Sequence, residues 1–284
     1  MTRAAMTEPR PRKNQKVDIM AASPCLCETI LSPSPGHSRN PAAWEGGLSR
    51  RIDSRYRSPT RSSDLLDLIV IGAGASGLFL SLLAARRGLS VTVLEHGPAT
   101  GRKLRASGGG RCNLTNLAAG PEDYFSDNPH FCRSALARFT PAEALAAFAE
   151  FGLAFEEKAP GQMFCVQGAR RLAEALEAAC REAGARIVLN CPVRAVTGPA
   201  PFRVETGTGI FEAPRLAVAC GGPSWPNLGA SDLAFRLARQ FGLDVVEPRP
   251  ALVPLVLSGG QARLCRDLAG LSLAEARVSC GGRS

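Results

Sequence analysis

The chain has 284 residues, and its 45% hydrophobic content suffices for a real core with room for two domains. Its formal net charge of +9 is uneven: residues 1–65 hold eleven Lys or Arg and six acids, a balance of +5, which leaves the rest at only +4 and does not favour nucleic-acid binding by the folded part. No apolar stretch has signal-peptide or membrane-span quality, and the ten cysteines are dispersed, which suits reduced thiols in a cytoplasm rather than a disulfide framework.

Residues 1–65 are rich in Pro, Ser and Arg without a sustained helix or strand period, so they read as a disordered basic tail. Within them, Arg61-Ser-Ser-Asp-Leu65 is what one frame of a common sequencing adapter encodes. That raises the hypothesis of a non-native tail, which resequencing the upstream codons tests.

From Leu66 the pattern changes. Leu68-Ile-Val-Ile71 suits a strand buried on both faces of a parallel sheet. Gly72-Ala-Gly74-Ala-Ser-Gly77 follows, then the helix formers Leu78 to Arg87 with a stop at Gly88, then a second strand, Val91-Thr-Val-Leu94, ending at Glu95. This is the order and spacing of a dinucleotide-binding unit. Gly72 allows the tight turn, Gly74 removes a side chain that would hold the backbone off a pyrophosphate, and Gly77 lets helix and strand approach. The amides of Ala75, Ser76 and Gly77 face the phosphates at the helix N-terminus, and Glu95 accepts hydrogen bonds from a ribose. Nicotinamide and flavin enzymes share this half of the pattern.

A second glycine-rich segment, Gly101 to Asn116, starts a few residues past the acid. It carries Arg102, Lys103, Arg105 and Arg111 with Gly108, Gly109 and Gly110, and reads as a loop laid along an extended anionic ligand. Cys112 lies inside it. Flavin disulfide reductases have a second Cys five residues on, where this chain has Leu117, so a dithiol mechanism is not expected and Cys112 reads as a packing thiol. Cys25 and Cys27 lack zinc-knuckle spacing and the histidines at 37, 96 and 130 form no ligand cluster, so no metal site is expected.

Further on, a short helix is expected over Asp127–Ala137. Thr140-Pro-Ala-Glu143 is a capping box opening a helix that ends at Gly152. Gly168–Ala183 reads as an amphipathic helix, Arg186–Leu189 as a strand, and Val193–Val196, Phe202–Glu205 and Ile210–Glu212 as an antiparallel meander. Leu216–Cys220 reads as a strand returning to the main sheet, so that Ala219 and Gly221 approach the dinucleotide. Ser231–Phe241 reads as a helix. The expected class is therefore α/β: a Rossmann-like dinucleotide-binding domain over 66–247 with a parallel sheet and a small meander, then a β-rich segment over 248–284.

Gly101-Arg-Lys103 with Ser107-Gly-Gly-Gly-Arg-Cys-Asn-Leu-Thr-Asn116 resembles the BaiN-like (YhiN-like) flavoproteins, NAD(P)/FAD-dependent oxidoreductases or aminoacetone-oxidase-like FAD enzymes. Gly161-Gln-Met-Phe-Cys165, Ala219 to Gly229 and Pro248 to Leu255 look like further family blocks in family order. The resemblance implies FAD as cofactor. It places Arg102, Lys103 and the loop of Ser107, Gly108, Gly109, Gly110, Arg111, Cys112 and Asn113 on the remaining phosphate and the flavin face, and the backbone of Val193 at the adenine. It also marks departures: Cys220 where members have Thr, and Asp232 and Ala234 in place of glycines. Residues 248–284 resemble the start of an inserted β-rich substrate domain that continues in the family, so the chain reads as C-terminally truncated.

The expected function is hydride transfer between FAD and a small organic substrate, with NAD(P)H as diffusible donor, in the cytoplasm, with no membrane or nucleic-acid partner. No catalytic acid or base is nominated. Two alternatives remain open: a catalytically incompetent FAD-binding fragment, and an RNA-associated flavoprotein.

Overall fold

A computed structural model describes residues 66–124, 128, 130–199 and 201–248, together with the backbone of 19–21. The chain divides into compact units of residues 1–244 and 245–284, and of the second only 245–248 are described. The expected β-rich segment over 248–284 therefore lies outside the described residues except for Pro248.

The frame is a five-stranded parallel sheet. Its strands are β1 (Ile19–Ala21), β2 (Leu68–Ile71), β3 (Val91–Leu94), β7 (Arg186–Val188) and β11 (Leu216–Val218), in the order β1-β11-β2-β3-β7. Strand β1 falls inside the tail that the sequence reading left without a strand. It supplies an edge, pairing Ile19 to Leu216 and Ala21 to Val218.

Strand β2 shows why a continuous apolar run was needed. Leu68 and Val70 join one core cluster while Ile69 and Ile71 join another, and all four are at most 3% exposed. On the first face lie α1 (Ala75–Arg86), α4 (Pro141–Ala149) and α5 (Gly168–Glu182). Helix α1 is apolar nearly all round because it is covered by the sheet and by α5, against which the Cys180 thiol donates to the Leu78 carbonyl at 3.0 Å. Helix α5 buries one stripe (Leu172, Ala173, Leu176, Cys180) and leaves its Arg and Glu residues outward. On the second face sit α6 (Leu233–Gln240) and the meander β8 (Val193–Thr197), β9 (Phe202–Thr206) and β10 (Ile210–Ala213), paired antiparallel in the order β10-β9-β8.

Four further elements were not legible. Segment Arg102–Ala106, expected as loop, is a five-residue helix, α2. Strands β4 (Asn113–Asn116), β5 (Phe155–Ala159) and β6 (Gln162–Cys165) make a separate antiparallel sheet in the order β4-β6-β5. In β5 the run Phe-Glu-Glu-Lys-Ala is exposed after its first residue, so no alternation marks it. The helix expected over Asp127–Ala137 forms only at Arg133–Arg138 (α3) among the described residues. The return strand stops at Val218, before Cys220. No helix among the described residues is long and apolar enough to cross a membrane.

Candidate functional site

The sheet order places a switch point beside β2. From β2 the chain winds outward through β3 to β7, then crosses back to β11 on the other side, so the loops after β2 and β11 diverge and leave a crevice at the strand ends. A cleft of about 420 Å³ lies there, walled by Gly74, Ser76, Glu95, Arg102, Ala219 and Gly229 among others.

Each glycine of the first loop has a separate structural reason. Gly72 has φ +103°, and a Cβ on it would lie 2.7 Å from the Ala219 carbonyl oxygen. A Cβ on Gly77 would collide with the carbonyl oxygen of Gly72. Gly74 differs: its backbone is ordinary (φ −77°, ψ −176°), and a Cβ there would meet no protein atom within 4 Å. The fold does not require glycine at 74, and that position lines the cleft.

Beyond Gly74, α1 presents the amides of Ala75, Ser76 and Gly77, whose first-turn positions have no helical carbonyl to bond. No side chain caps this end. Glu95, 7% exposed, sits at the end of β3 with its Oε2 accepting from the Ala73 amide at 2.8 Å and its Oε1 from the Gly97 amide at 2.8 Å. His96 Nδ1 is 3.1 Å from Oε1. The carboxylate is thus fixed by its own turn, while Oε2 keeps a second lone pair for a hydroxyl. These features fit a dinucleotide: open space where a side chain is missing, unbonded amides beside it, and a held acceptor further in.

Helix α2 brings two cations to the opposite lip. It is anchored on α5 by Arg105, which bonds the Thr100 carbonyl at 3.0 Å and pairs with Glu174 at 3.4 Å, and by the buried Thr100 hydroxyl donating to Glu177 at 2.6 Å. Burial opposes ionisation of Glu177, yet the Thr100 hydroxyl and Arg181 hold its carboxyl below the usual range. From this base Lys103 donates to the carbonyls of Gly222 (3.3 Å) and Ser224 (3.4 Å), tying the loop after β11 to α2. Arg102 lies between Gly97 and Gly229. Among the described residues neither cation has a carboxylate within ion-pair distance.

The second glycine loop is placed differently from the first. Gly108, Gly109 and Gly110 are all left-handed, at φ 56°, 66° and 87°, and Cys112 shares that region at φ 57°. Ser107 bonds the Leu104 carbonyl, Arg111 bonds the Gly108 carbonyl and stands 5.7 Å from the centre of the Phe164 ring, and Asn113 starts β4. None of Ser107 to Asn113 is among the residues walling the cleft, and neither is Val193, which pairs with Thr206 in the meander. The cleft therefore gathers Gly74, Ala75, Ser76, Glu95, Arg102, Lys103, Ala219 and Gly221. Gly72 and Gly77 act behind it as packing positions.

Cys112 is 1% exposed, and its amide and carbonyl bond Ser107 and Cys165. Burial pushes its thiol up, against a Ser107 hydrogen bond that lowers it. It is a buried packing thiol. The sequence spacing could not show that Cys165, also buried, donates its amide to the Cys112 carbonyl at 3.1 Å. Cys220 lines the cleft, and burial raises its thiol as well. His96 and Leu228 also line it and were missed, because neither belongs to a motif that spacing alone identifies.

A family model described as the HI0933-like protein Rossmann domain matches residues 66–283. The ribosomal RNA dihydrouridine synthase of Haemophilus influenzae is 40% identical over 221 residues, 76% of this chain and 55% of that protein. The Escherichia coli protein of the same name is 39% identical over 208 residues, 73% and 52%. The 3-dehydro-bile acid delta(4,6)-reductase of Clostridium scindens is 35% identical over 190 residues, 66% and 46%. The chain spans about half the length of these curated relatives. The family match takes in the strand–glycine–helix unit, Glu95, both glycine loops and the return strand, and on that ground the chain belongs to the HI0933-like family.

Proposed function

We propose that this chain carries the FAD-binding half of a reductase that adds hydrogen across a carbon–carbon double bond conjugated to a carbonyl. The observation that carries it is Gly74, a glycine with ordinary backbone whose missing side chain opens only into the cleft, between unbonded helix amides and Glu95. In this reading the amides of Ala75 and Ser76 bind the pyrophosphate, Glu95 orients the ribose, and Arg102 and Lys103 offset the remaining negative charge. Ala219 and Gly221 bring the backbone just after β11 against the other side. The Ser107–Asn113 loop and Val193 retain their assignments to the flavin face and the adenine. FAD, when bound, supplies hydride transfer at its reactive ring nitrogen. NAD(P)H is the proposed donor.

The substrate reading draws on the relatives' names. A dihydrouridine synthase and a delta(4,6)-reductase both saturate a double bond conjugated to a carbonyl, so the bond that accepts hydride is electron-poor in both. The two ribosomal RNA relatives match more of this chain, at higher identity, than the bile-acid enzyme does. That favours a uracil in ribosomal RNA over the small free molecule expected from sequence, which stays as the second reading.

Purification of the chain and its visible spectrum test the cofactor. A yellow protein bleached by NAD(P)H is expected; a colourless protein that does not take up added FAD removes the proposal in favour of an inert fragment. Incubation of the flavin-loaded protein with NADPH and ribosomal RNA lacking dihydrouridine, followed by nucleoside mass spectrometry, tests the substrate. Uridine gaining the mass of one hydrogen molecule is expected, and its absence, with turnover of a small enone present, moves the assignment to the second reading.

A further inference from the structure

Trp225 is 66% exposed. Its backbone is in the left-handed region at φ 66°, ψ 65°, where side chains are disfavoured, and the next residue is Pro226, which restricts it further. Neither burial nor local geometry accounts for a tryptophan at such a position. Strain of this kind persists only where the surroundings impose it.

Here they do. The Leu228 amide bonds the Trp225 carbonyl at 2.9 Å, and Lys103 holds the carbonyl of Ser224, the residue before it. The two ends of the loop, Gly221 on one side and Leu228 and Gly229 on the other, wall the cleft. A large flat side chain is therefore held in water on the loop whose two ends wall the cleft.

We infer that Trp225 is a stacking platform for the flat conjugated ring of the substrate. The identification of that ring as a uracil rests on the reductase reading above; the platform itself does not. An exposed indole gains contact area from any planar ring at little entropic cost, which suits an unpaired base or a free nucleotide equally.

The chain has two tryptophans, Trp44 and Trp225, so Trp44→Phe leaves Trp225 as sole reporter. A short oligouridylate is expected to quench its emission saturably, whereas an abasic oligomer of equal length and charge leaves it unchanged. Trp225→Ala should weaken oligouridylate binding about tenfold, and Trp225→Phe should restore most of it. Quenching by free uridine monophosphate as strong as by the oligomer also supports the platform and makes the ligand a small molecule. Equal quenching by the abasic oligomer, no change in emission, or unaltered binding by Trp225→Ala overturns it. So does loss of bound FAD or of melting temperature in Trp225→Ala, which makes the indole a cofactor or folding contact. A protein that binds no FAD but still shows base-dependent quenching sinks the reductase reading and leaves the platform standing.

Discussion

The glycines of the first loop look alike in sequence and separate by what a methyl group would touch. Gly74→Ala should leave the melting temperature nearly unchanged and reduce FAD affinity at least about tenfold, measured by flavin fluorescence titration, because the added carbon enters only ligand space. Gly77→Ala should instead lower stability by about 1–3 kcal/mol in denaturant titration, since its Cβ meets the Gly72 carbonyl. Equal losses of stability in both variants would count against the cleft as the binding site. Glu95→Gln keeps one acceptor oxygen but swaps the other for an amide donor facing a backbone N–H, so a loss of about 1–3 kcal/mol is expected beside weaker FAD binding. Cys180 provides a pH test. Burial, with smaller opposing contributions, pushes its thiol from the ordinary value near 9.0 up to about 12. The folded state thus keeps a proton that the unfolded chain releases, so this contribution is intact below pH 9 and is lost as pH rises toward 12. Cys180→Ala should flatten the fall in stability over that window. Sequence indicated Gly72, Gly74, Gly77 and Glu95 because a dinucleotide cradle imposes fixed spacing; it could not rank them, since the space around each depends on the folded turn and, for Gly72, on Ala219 far along the chain.

At the scale of elements, legibility followed burial. Strand β2 and helices α1 and α5 are recognisable because each buries a continuous run or stripe. Helix α4 was recognisable from its start: Thr140 accepts from the Glu143 amide at 3.3 Å and Glu143 accepts from the Thr140 amide at 2.6 Å, the reciprocal pair expected from the capping box. Thr140→Ala should cost about 1 kcal/mol in chemical unfolding, and no loss would mean that tertiary packing alone holds α4. Helix α2 and strands β4 to β6 escaped for the opposite reason. Helix α2 has no fully buried residue and is set by Arg105, Thr100 and Glu177, contacts that connect it to α5 some seventy residues away. Strand β5 is paired through backbone bonds with its side chains largely in water, so its residues carry no pattern.

Over the whole molecule, the resemblance drawn from Ser107–Asn116 and the later blocks agrees with the family match over 66–283. The parallel sheet and the position of the crevice follow from the alternation of strand and helix, since a chain that winds outward from β2 and then returns beside it must open a gap at the switch point. The edge strand Ile19–Ala21 did not follow, because three residues in a Pro- and Ser-rich segment carry no usable period. The lysine that ties the two lips of the cleft has a kinetic consequence. Lys103 reaches Gly222 across 119 positions of chain, whereas Glu95 and Ala73 are only 22 apart. The acid-and-amide lip is a local assembly, and the other lip closes a long loop, which slows its formation. During refolding from denaturant, helical circular dichroism should return before flavin emission is quenched, so that capture of the cofactor reports the last stage of folding rather than its nucleus.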